Sequence, residues 1–312
     1  MTTDTNQPDV IASEQLTTIK ITPEELADGE MSPCSCKQAV RAVNTYGYVI
    51  LENAVPHECI DILNQKMEED TKKLLVKPNW NTIGKVKGHL QPSPPHYAPY
   101  VFRELVSNYF AAQVTKQVFG NNTFVKSYSS NTNCPGSHSQ PIHVDGEHSA
   151  LIVNIGLIDI TENNGSIELW PGTHLIKSDS ARIAPSILKA RRKIAPPIRA
   201  NTKKGSVLIR HTQVWHRGMP NYSNSYRHTI ATMHHKYGSD FGEPLKFKKG
   251  CEQELDNRIL YPNIEFTDEL INSDSAPNYS FVAACKDTAY RLSPETLVFA
   301  TKLYRRVLKR KG

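Results

Sequence analysis

The segment Pro141-Ile142-His143-Val144-Asp145 alternates apolar and polar side chains, as a β-strand does when one of its faces is buried. In such a strand His143 and Asp145 point to one face, while Ile142 and Val144 point to the other. An imidazole and a carboxylate two residues apart can therefore bind one metal ion from the same face of a sheet. The segment predicts a metal-binding strand in a β-rich domain.

A third ligand and an anion-binding group follow later in the chain. His216 comes after a predicted strand, and Arg227 follows it by eleven residues. Two histidines and one carboxylate form the facial triad that holds Fe(II) and leaves other coordination positions open for oxygen and a co-substrate. A guanidinium holds a carboxylate through two hydrogen bonds. With His143 and Asp145, these residues predict a site for Fe(II), O2 and 2-oxoglutarate.

The region between residues 123 and 237 consists of short β-type runs that are separated by turns such as Asn163-Asn164-Gly165. Short strands without helices between them predict an antiparallel barrel or jelly roll. The strands that we expect cover residues 150–155, 166–170, 205–210 and 227–233. A basic segment at 181–204 interrupts them and is predicted to form a helix and a loop.

The part of the chain before this region contains helical patterns. Apolar residues at helical spacing predict helices over 36–44 and 57–75, and the apolar run 47–51 between them predicts a buried strand. Residues 78–99 are rich in Pro, Gly, His and Asn, which predicts a long loop.

These patterns divide the chain into three parts. Residues 1–22 are polar and are expected to form a flexible N-terminal tail. Residues 23–245 are expected to form one β-rich domain with N-terminal helices. Residues 246–312 are expected to form a C-terminal helical extension that packs on the core, with an amphipathic helix over 294–309.

Composition and charge restrict the partners of the protein. The net charge is +6, but fourteen basic residues in the segments 181–204 and 301–312 leave −8 on the rest of the chain. An acidic body with two basic segments argues against a nucleic-acid-binding protein. The sequence has no apolar run of 18 residues, so no membrane span is expected. We expect a cytoplasmic protein with reduced cysteines, because the N-terminus lacks a secretory pattern, and the sequence leaves a homodimer open.

Three sequence blocks together resemble the phytanoyl-CoA dioxygenase (PhyH-like) family of Fe(II)/2-oxoglutarate-dependent oxygenases, in particular its natural-product-type members. The blocks are Gln140 to Asp145, Asn163 to His174, and Gly205 to Arg227. The resemblance implies a mostly β fold with flanking helices, the double-stranded β-helix (jelly roll, cupin-like). It also implies that iron is bound by His143, Asp145 and His216, and that Arg227 binds 2-oxoglutarate.

The resemblance suggests further co-substrate contacts from Gln140 and Gln91. The family often has a hydroxyl residue two positions after the distal histidine, where this chain has Gly218. Asn131 or Thr229 is expected to supply the contact that this departure removes.

The expected function is the oxidation of a C–H bond in a small molecule, most simply hydroxylation, with release of succinate and CO2. Specialised-metabolite biosynthesis is the favoured setting, and the basic segment 181–204 favours an anionic substrate. Three alternatives stay open at this point: a hydroxylase for an acyl thioester or an amino-acid derivative, an oxygenase that acts on a macromolecule, and a jelly-roll protein that binds a ligand without catalysis.

Overall fold

A computed structural model describes residues 16–76, 86–91, 94–146, 150–176, 183–236, 244–255 and 264–268. The helix predicted over 294–309 lies outside these residues. Among the described residues, no helix is long and apolar enough to cross a membrane.

The described ranges contain twelve strands. They are β1 (Thr18–Lys20), β2 (Tyr48–Glu52), β3 (His89–Leu90), β4 (Thr123–Asn133), β5 (Ala150–Gly156), β6 (Ile167–Leu169), β7 (Ile198–Ala200), β8 (Val207–His211), β9 (His216–Arg217), β10 (Arg227–Lys236), β11 (Leu245–Lys248) and β12 (Ile264–Thr267). Seven form a large sheet in the order β1-β2-β8-β5-β10-β4-β3, and three form a small sheet in the order β7-β6-β9. All pairs in these two sheets are antiparallel except β1 with β2. The predicted mostly β jelly-roll fold is confirmed.

Six α-helices accompany the sheets in the described residues. They are α1 (Pro23–Asp28), α2 (Pro33–Tyr46), α3 (His57–Leu75), α4 (Arg103–Val106), α5 (Tyr109–Phe119) and α6 (Pro185–Arg192). The helices predicted over 36–44 and 57–75 correspond to α2 and α3. Helix α2 begins after Ser32, whose hydroxyl accepts a hydrogen bond from the Ser35 N–H. It ends at Gly47, which has a φ of 84° and lies so close to Val214 and His174 that a Cβ atom would not fit.

The two faces of the large sheet bury different side chains. On the outer face, Val49 and Ile209 belong to the main hydrophobic core together with Val43 of α2 and Leu63 of α3. On the inner face, residues from both sheets pack together, which shows that the sheets face each other. This inner cluster consists of Tyr46, Tyr48, Ile50, Leu169, Ile198, Ala200, Leu208 and Val214. It fills the space between the sheets beside β2 and β8.

Three expectations about the ends and loops of the chain were wrong in part. Residues 18–20, which we assigned to a flexible tail, form β1 and pair in parallel with β2, while Ile19 and Ile21 are buried in the main core. The predicted loop over 78–99 contains β3. The strands β11 and β12 pair in parallel, and β12 lies within the extension that we expected to be helical. Each of these strands is too short to show a periodic pattern, so its pairing partner determines its structure.

The large sheet also buries neutral histidines that make folding sensitive to pH. His234 on β10 is 2% exposed, and its Nδ1 lies 2.8 Å from the hydroxyl oxygen of Thr115 on α5. Burial, with a smaller contribution from His235, lowers the pKa of His234 to about 3. The unfolded chain therefore binds a proton at this residue more readily than the folded protein does, once the pH falls below the ordinary value of 6.5.

We predict that acidification from pH 7 to pH 5 destabilises the fold by about 2 kcal/mol through His234 alone. The contribution is fully present above pH 6.5 and is lost as the pH falls toward the folded-state pKa. Chemical denaturation at several pH values should show a shallower pH dependence for His234→Gln than for the wild type. His57→Gln is the control, because His57 is exposed. Identical slopes for the wild type and His234→Gln would contradict the prediction.

Candidate metal centre and co-substrate site

His143 and His216 are brought together by backbone hydrogen bonds. The His143 N–H donates to the His216 carbonyl at 2.9 Å, and the His216 N–H donates to the His143 carbonyl at 3.0 Å. This reciprocal pair forms an antiparallel bridge at the free edge of β9. Directly opposed residues in an antiparallel pair point to the same face. The two imidazole rings therefore converge, with their centroids 4.3 Å apart.

The segment around His143 forms a single bridge instead of the continuous strand that we predicted. Its side chains nevertheless alternate as expected, because Ile142 and Val144 are buried, while His143 and Asp145 are partly exposed. Ile142 and Val144 pack into an apolar cluster whose other members are Trp170, Ile176, Ile183, Ile187 and Trp215. This cluster fixes the segment from behind and leaves its polar side chains on the inner face.

The three predicted ligand side chains meet within a small space. Their candidate ligand atoms all lie within 4.8 Å of one another. The His143 Nε2 is 3.6 Å from Asp145 Oδ1, and the His216 Nε2 is 3.3 Å from Asp145 Oδ2. The Nδ1 atoms of the two histidines lie 2.8 Å and 2.9 Å from the carbonyl oxygens of Pro141 and Val214. Because those carbonyls accept the Nδ1 protons, the lone pairs lie on the Nε2 atoms, as a metal ion requires.

The electrostatics of this group also suit a cation. Burial lowers the pKa of His216 to about 4, so its imidazole is neutral at pH 7 and can donate a lone pair. Burial alone would raise the pKa of Asp145, but the guanidinium of Arg210 beside it opposes this effect, and that pKa lies well below its ordinary value. Two imidazoles and an ionised carboxylate form a donor set that fits Fe(II).

Arg227 is a buried cation without an acidic partner among the described residues. It is 8% exposed, and burial lowers its pKa to about 10. Its Nη1 donates to the Thr229 hydroxyl at 2.6 Å and its Nη2 to the Gly165 carbonyl at 3.3 Å, while Nε has no hydrogen-bond partner within the described part of the chain. Three of its five N–H donors therefore remain for a ligand. A buried charge without a counter-charge is energetically unfavourable, so an anion bound next to this guanidinium would be stabilised by it.

Glycine is required at position 165 for Arg227 to be held in this way. Gly165 has a φ of 85°, and a Cβ atom there would lie 2.2 Å from the Asn133 side chain and 2.7 Å from the Met219 carbonyl. The predicted turn at Asn163-Asn164-Gly165 is present. It brings the Gly165 carbonyl of the small-sheet side against Arg227 on β10 of the large sheet.

The structure accounts for the absence of a side chain at Gly218. A Cβ atom at this position would lie 2.6 Å from the His89 Cε1 and 2.8 Å from the Gln140 Oε1. The Gln140 Oε1 accepts the Gly218 N–H at 2.8 Å, and the His89 Nε2 lies 2.6 Å from the His138 carbonyl oxygen. His89 therefore occupies the space that a side chain at 218 would need. The missing hydroxyl at position 218 is the sequence feature that favours the non-catalytic alternative, and this packing gives it a structural explanation.

The other predicted co-substrate contacts occupy different environments. Thr229 accepts from Arg227 and donates to the Asn131 carbonyl at 3.2 Å, so it orients the guanidinium. The side chain of Asn131 is partly exposed and lies on the same face as Thr229, its cross-strand partner. Gln140 lies beside Gly218, with its amide nitrogen available, whereas Gln91 is exposed after β3. Contact with 2-oxoglutarate stays a prediction for all four residues.

The basic segment 181–204 has a structural role that its charge pattern concealed. Helix α6 places Ile187 in the apolar cluster behind His143. Arg191 is 1% exposed and donates to the Pro171 carbonyl at 2.6 Å, and Arg192 lies 5.5 Å from the ring centre of Trp170. The charge of Arg191 is therefore unavailable to a substrate, which removes part of the reason to expect an anionic one.

The fold and the site define the class of the protein, which is that of the Fe(II)- and 2-oxoglutarate-dependent oxygenases with a jelly-roll fold. A family model described as phytanoyl-CoA dioxygenase (PhyH) matches residues 43–229. This range covers more than half of the chain, and the chain belongs to the PhyH family. The predicted family, enzyme class and cofactors, Fe(II) and 2-oxoglutarate, are confirmed.

Solved structures support the fold. AviO1 from Streptomyces viridochromogenes Tue57 is 18% identical, with a TM-score of 0.54, and the match covers 67% of this chain and 99% of AviO1. SnoN, an epimerase from nogalamycin biosynthesis, is 14% identical in its complex with Fe3+, alpha ketoglutarate and nogalamycin RO. Its TM-score is 0.51, and the match covers 66% of this chain and 85% of SnoN. At these identities the likeness shows a shared fold.

Two residues at the site escaped prediction. His89 was placed in a loop, and Arg210 was treated as the end of an apolar strand. Arg210 lies on β8, and its Nη2 donates to Asp145 Oδ2 at 2.5 Å. A cation directly after the apolar run Val207-Leu208-Ile209, within the predicted strand, was the available signal, since charged residues are rarely buried without a partner.

We predict that Gly218→Ser weakens 2-oxoglutarate binding about tenfold or more, because overpacking beside His89 and Gln140 costs roughly 1–3 kcal/mol. The double variant Gly218→Ser/His89→Ala should recover much of the affinity, since the alanine vacates the space. Anaerobic titration of the Fe(II)-loaded protein with 2-oxoglutarate measures both effects, with His89→Ala alone as the control. Wild-type affinity in Gly218→Ser would show that the close packing at this glycine does not restrict the site.

Proposed function

We propose that the protein hydroxylates a C–H bond of a small, oxygen-rich molecule in specialised-metabolite biosynthesis. In this proposal His143, Asp145 and His216 hold the iron, and Arg227 binds the distal carboxylate of 2-oxoglutarate. The observation that carries the proposal is the pairing of a three-ligand cluster with a buried arginine that has no acidic partner among the described residues. Both features face the space between the two sheets.

Iron and 2-oxoglutarate together supply the oxidising chemistry when they are bound. One oxygen atom of O2 enters the substrate as a hydroxyl group, and the other enters succinate as 2-oxoglutarate loses CO2. The residues of the chain position the reactants: Arg227 sets the position of the co-substrate and Thr229 sets the position of Arg227. We propose hydroxylation as the simplest outcome, although SnoN is named as an epimerase.

The inner face of the large sheet suggests the nature of the substrate. On β4, residues Ser127, Ser129 and Asn131 are partly exposed, whereas the residues between them are buried on the other face. Asn154 on β5 and Met233 on β10 are partly exposed on the same inner face, according to the strand register. Four of these five side chains are polar. This part of the inner face lies between Arg227 on β10 and Arg210 on β8.

A polar lining favours a substrate that forms hydrogen bonds. The side chains of Ser127, Asn131 and Asn154 make no hydrogen bond to other described residues. An unbranched acyl chain would remove these groups from water without replacing their hydrogen bonds, at a cost of about 1–3 kcal/mol for each group. A substrate with several hydroxyl, carbonyl or ether oxygens would pair with them. This argument favours an oxygen-rich metabolite over an acyl thioester, and the natural-product ligand named for SnoN agrees with it.

The first test of the proposal is anaerobic binding. Addition of Fe(II) and then 2-oxoglutarate should produce the visible iron-to-2-oxoglutarate charge-transfer band in the wild type. His216→Ala should abolish the band, because one of three ligands is lost. Arg227→Met should weaken 2-oxoglutarate binding roughly 10- to 100-fold, since a hydrogen bond to a charged group contributes about 1.5–3 kcal/mol.

Arg199→Met is the matched control for Arg227→Met. Arg199 is an arginine of the small sheet that donates to the Ser166 carbonyl, the neighbour of Gly165. Its replacement should leave the band and the affinity for 2-oxoglutarate unchanged. A wild-type protein that binds iron but shows no band would refute the assignment of Arg227.

The polar lining gives a second prediction. Asn154→Leu should leave Fe(II) and 2-oxoglutarate binding unchanged, because Asn154 contacts neither the three ligands nor Arg227. It should raise the KM of an oxygen-rich substrate about tenfold through the loss of one or two hydrogen bonds. Succinate release, screened against polar metabolites and against acyl thioesters, measures this difference. Preferential turnover of acyl thioesters by the wild type would overturn the proposed substrate class.

A further inference from the structure

Arg210 is a second buried arginine next to the candidate metal ligands. It lies on β8 between Tyr48 and Ile152 in the register of the large sheet. Its neighbours Val207 and Ile209 belong to the main core on the outer face, so Arg210 points inward. It is 6% exposed, and its Nη2 donates to Asp145 Oδ2 at 2.5 Å.

Asp145 is the hydrogen-bond partner of the Arg210 guanidinium among the described residues. The Nε and Nη1 atoms of Arg210 are buried and have no hydrogen-bond partner among the described residues. Removing one partner of a buried ion pair leaves the other charge uncompensated, so the position of one group determines that of the other. A stiff, planar guanidinium therefore restricts the orientation of the carboxylate.

Three side chains lie close to the two carboxylate oxygens of Asp145. Arg210 and the His216 Nε2 both approach Oδ2, whereas the His143 Nε2 approaches Oδ1. The backbone of the segment that carries Asp145 is held by the Gln140 N–H to the Gly218 carbonyl at 2.9 Å, by the His143 bridge and by the Asp145 N–H to the Thr212 carbonyl at 3.0 Å. These bonds position the backbone of Asp145, whereas its carboxylate is contacted by side chains, of which Arg210, among the described residues, is the one that donates to it.

We propose that Arg210 is a positioning residue that orients Asp145 for metal binding. This inference rests on the proposed metal centre. Hydrogen bonds to a ligating carboxylate fix its orientation, and their removal typically costs 10- to 100-fold in metal affinity. A purely electrostatic role would have the opposite sign, because removal of a cation beside the metal site would strengthen metal binding. The direction of the change therefore distinguishes orientation from charge.

Anaerobic titration with Co(II), followed by its d–d absorption, tests the proposal without turnover. Co(II) is a suitable probe because it binds nitrogen and oxygen ligands at least as tightly as Fe(II). Arg210→Met should weaken Co(II) binding 10- to 100-fold and alter the spectrum. Arg210→Lys keeps the charge but loses the planar fork, so it should show an intermediate loss. If Arg210→Met fails to fold, as judged by thermal denaturation, the Co(II) affinity of Arg210→Lys is the test of the proposal.

Arg217→Met is the matched control. Arg217 follows the candidate ligand His216 directly and pairs with Glu168 at 2.8 Å, but it does not contact Asp145. Its variant should bind Co(II) as the wild type does. Unchanged or tighter Co(II) binding in both Arg210 variants would overturn the proposal and leave the metal centre intact. Failure of the wild type to bind Co(II) would instead refute the metal centre, and the positioning role with it.

Discussion

The reciprocal hydrogen bonds between the backbones of His143 and His216 are the interaction on which the site depends. They join two segments that are far apart in the chain and set them in register, with the two imidazoles on one face. A shift of one residue would turn one of these rings toward the apolar cluster behind the segment. Trp170 and Trp215 in that cluster oppose such a shift, because Ile142 and Val144 pack against them.

Charge compensation is the second constraint on the inner face. Asp145 is ionised next to Arg210, while Arg227 on β10 has no acidic partner among the described residues. An isolated buried cation is unfavourable, so the folded chain keeps Arg227 in place through Thr229 and the Gly165 turn. The candidate site therefore contains two buried arginines. The charge of Arg210 is neutralised by Asp145, whereas the charge of Arg227 is available to a ligand. This division separates the candidate metal centre from the candidate anion site.

The two faces of the large sheet differ in polarity. Its outer face carries the apolar side chains that pack against α2 and α3. Its inner face is apolar beside β2 and β8, where Tyr48 and Leu208 fill the space between the sheets, and polar on β4. On β4 the inner side chains Ser127, Ser129 and Asn131 are polar and partly exposed. The strand β4 was not among the strands that we expected from the sequence, since these polar residues interrupt its apolar pattern. The same polar side chains would form hydrogen bonds with the proposed substrate.

The sequence by itself determined the features that depend on local periodicity. Alternation at 141–145 placed His143 and Asp145 on one face, and the apolar spacing of 57–75 defined α3, because side-chain direction follows from the backbone repeat. The tertiary structure alone decided the contacts between segments remote in the chain. The pairing of β1 with β2, the imidazole of His89 against Gly218 and the contact of Arg210 with Asp145 are of this kind. These contacts depend on strand register and on the space that other residues leave, which no local pattern specifies.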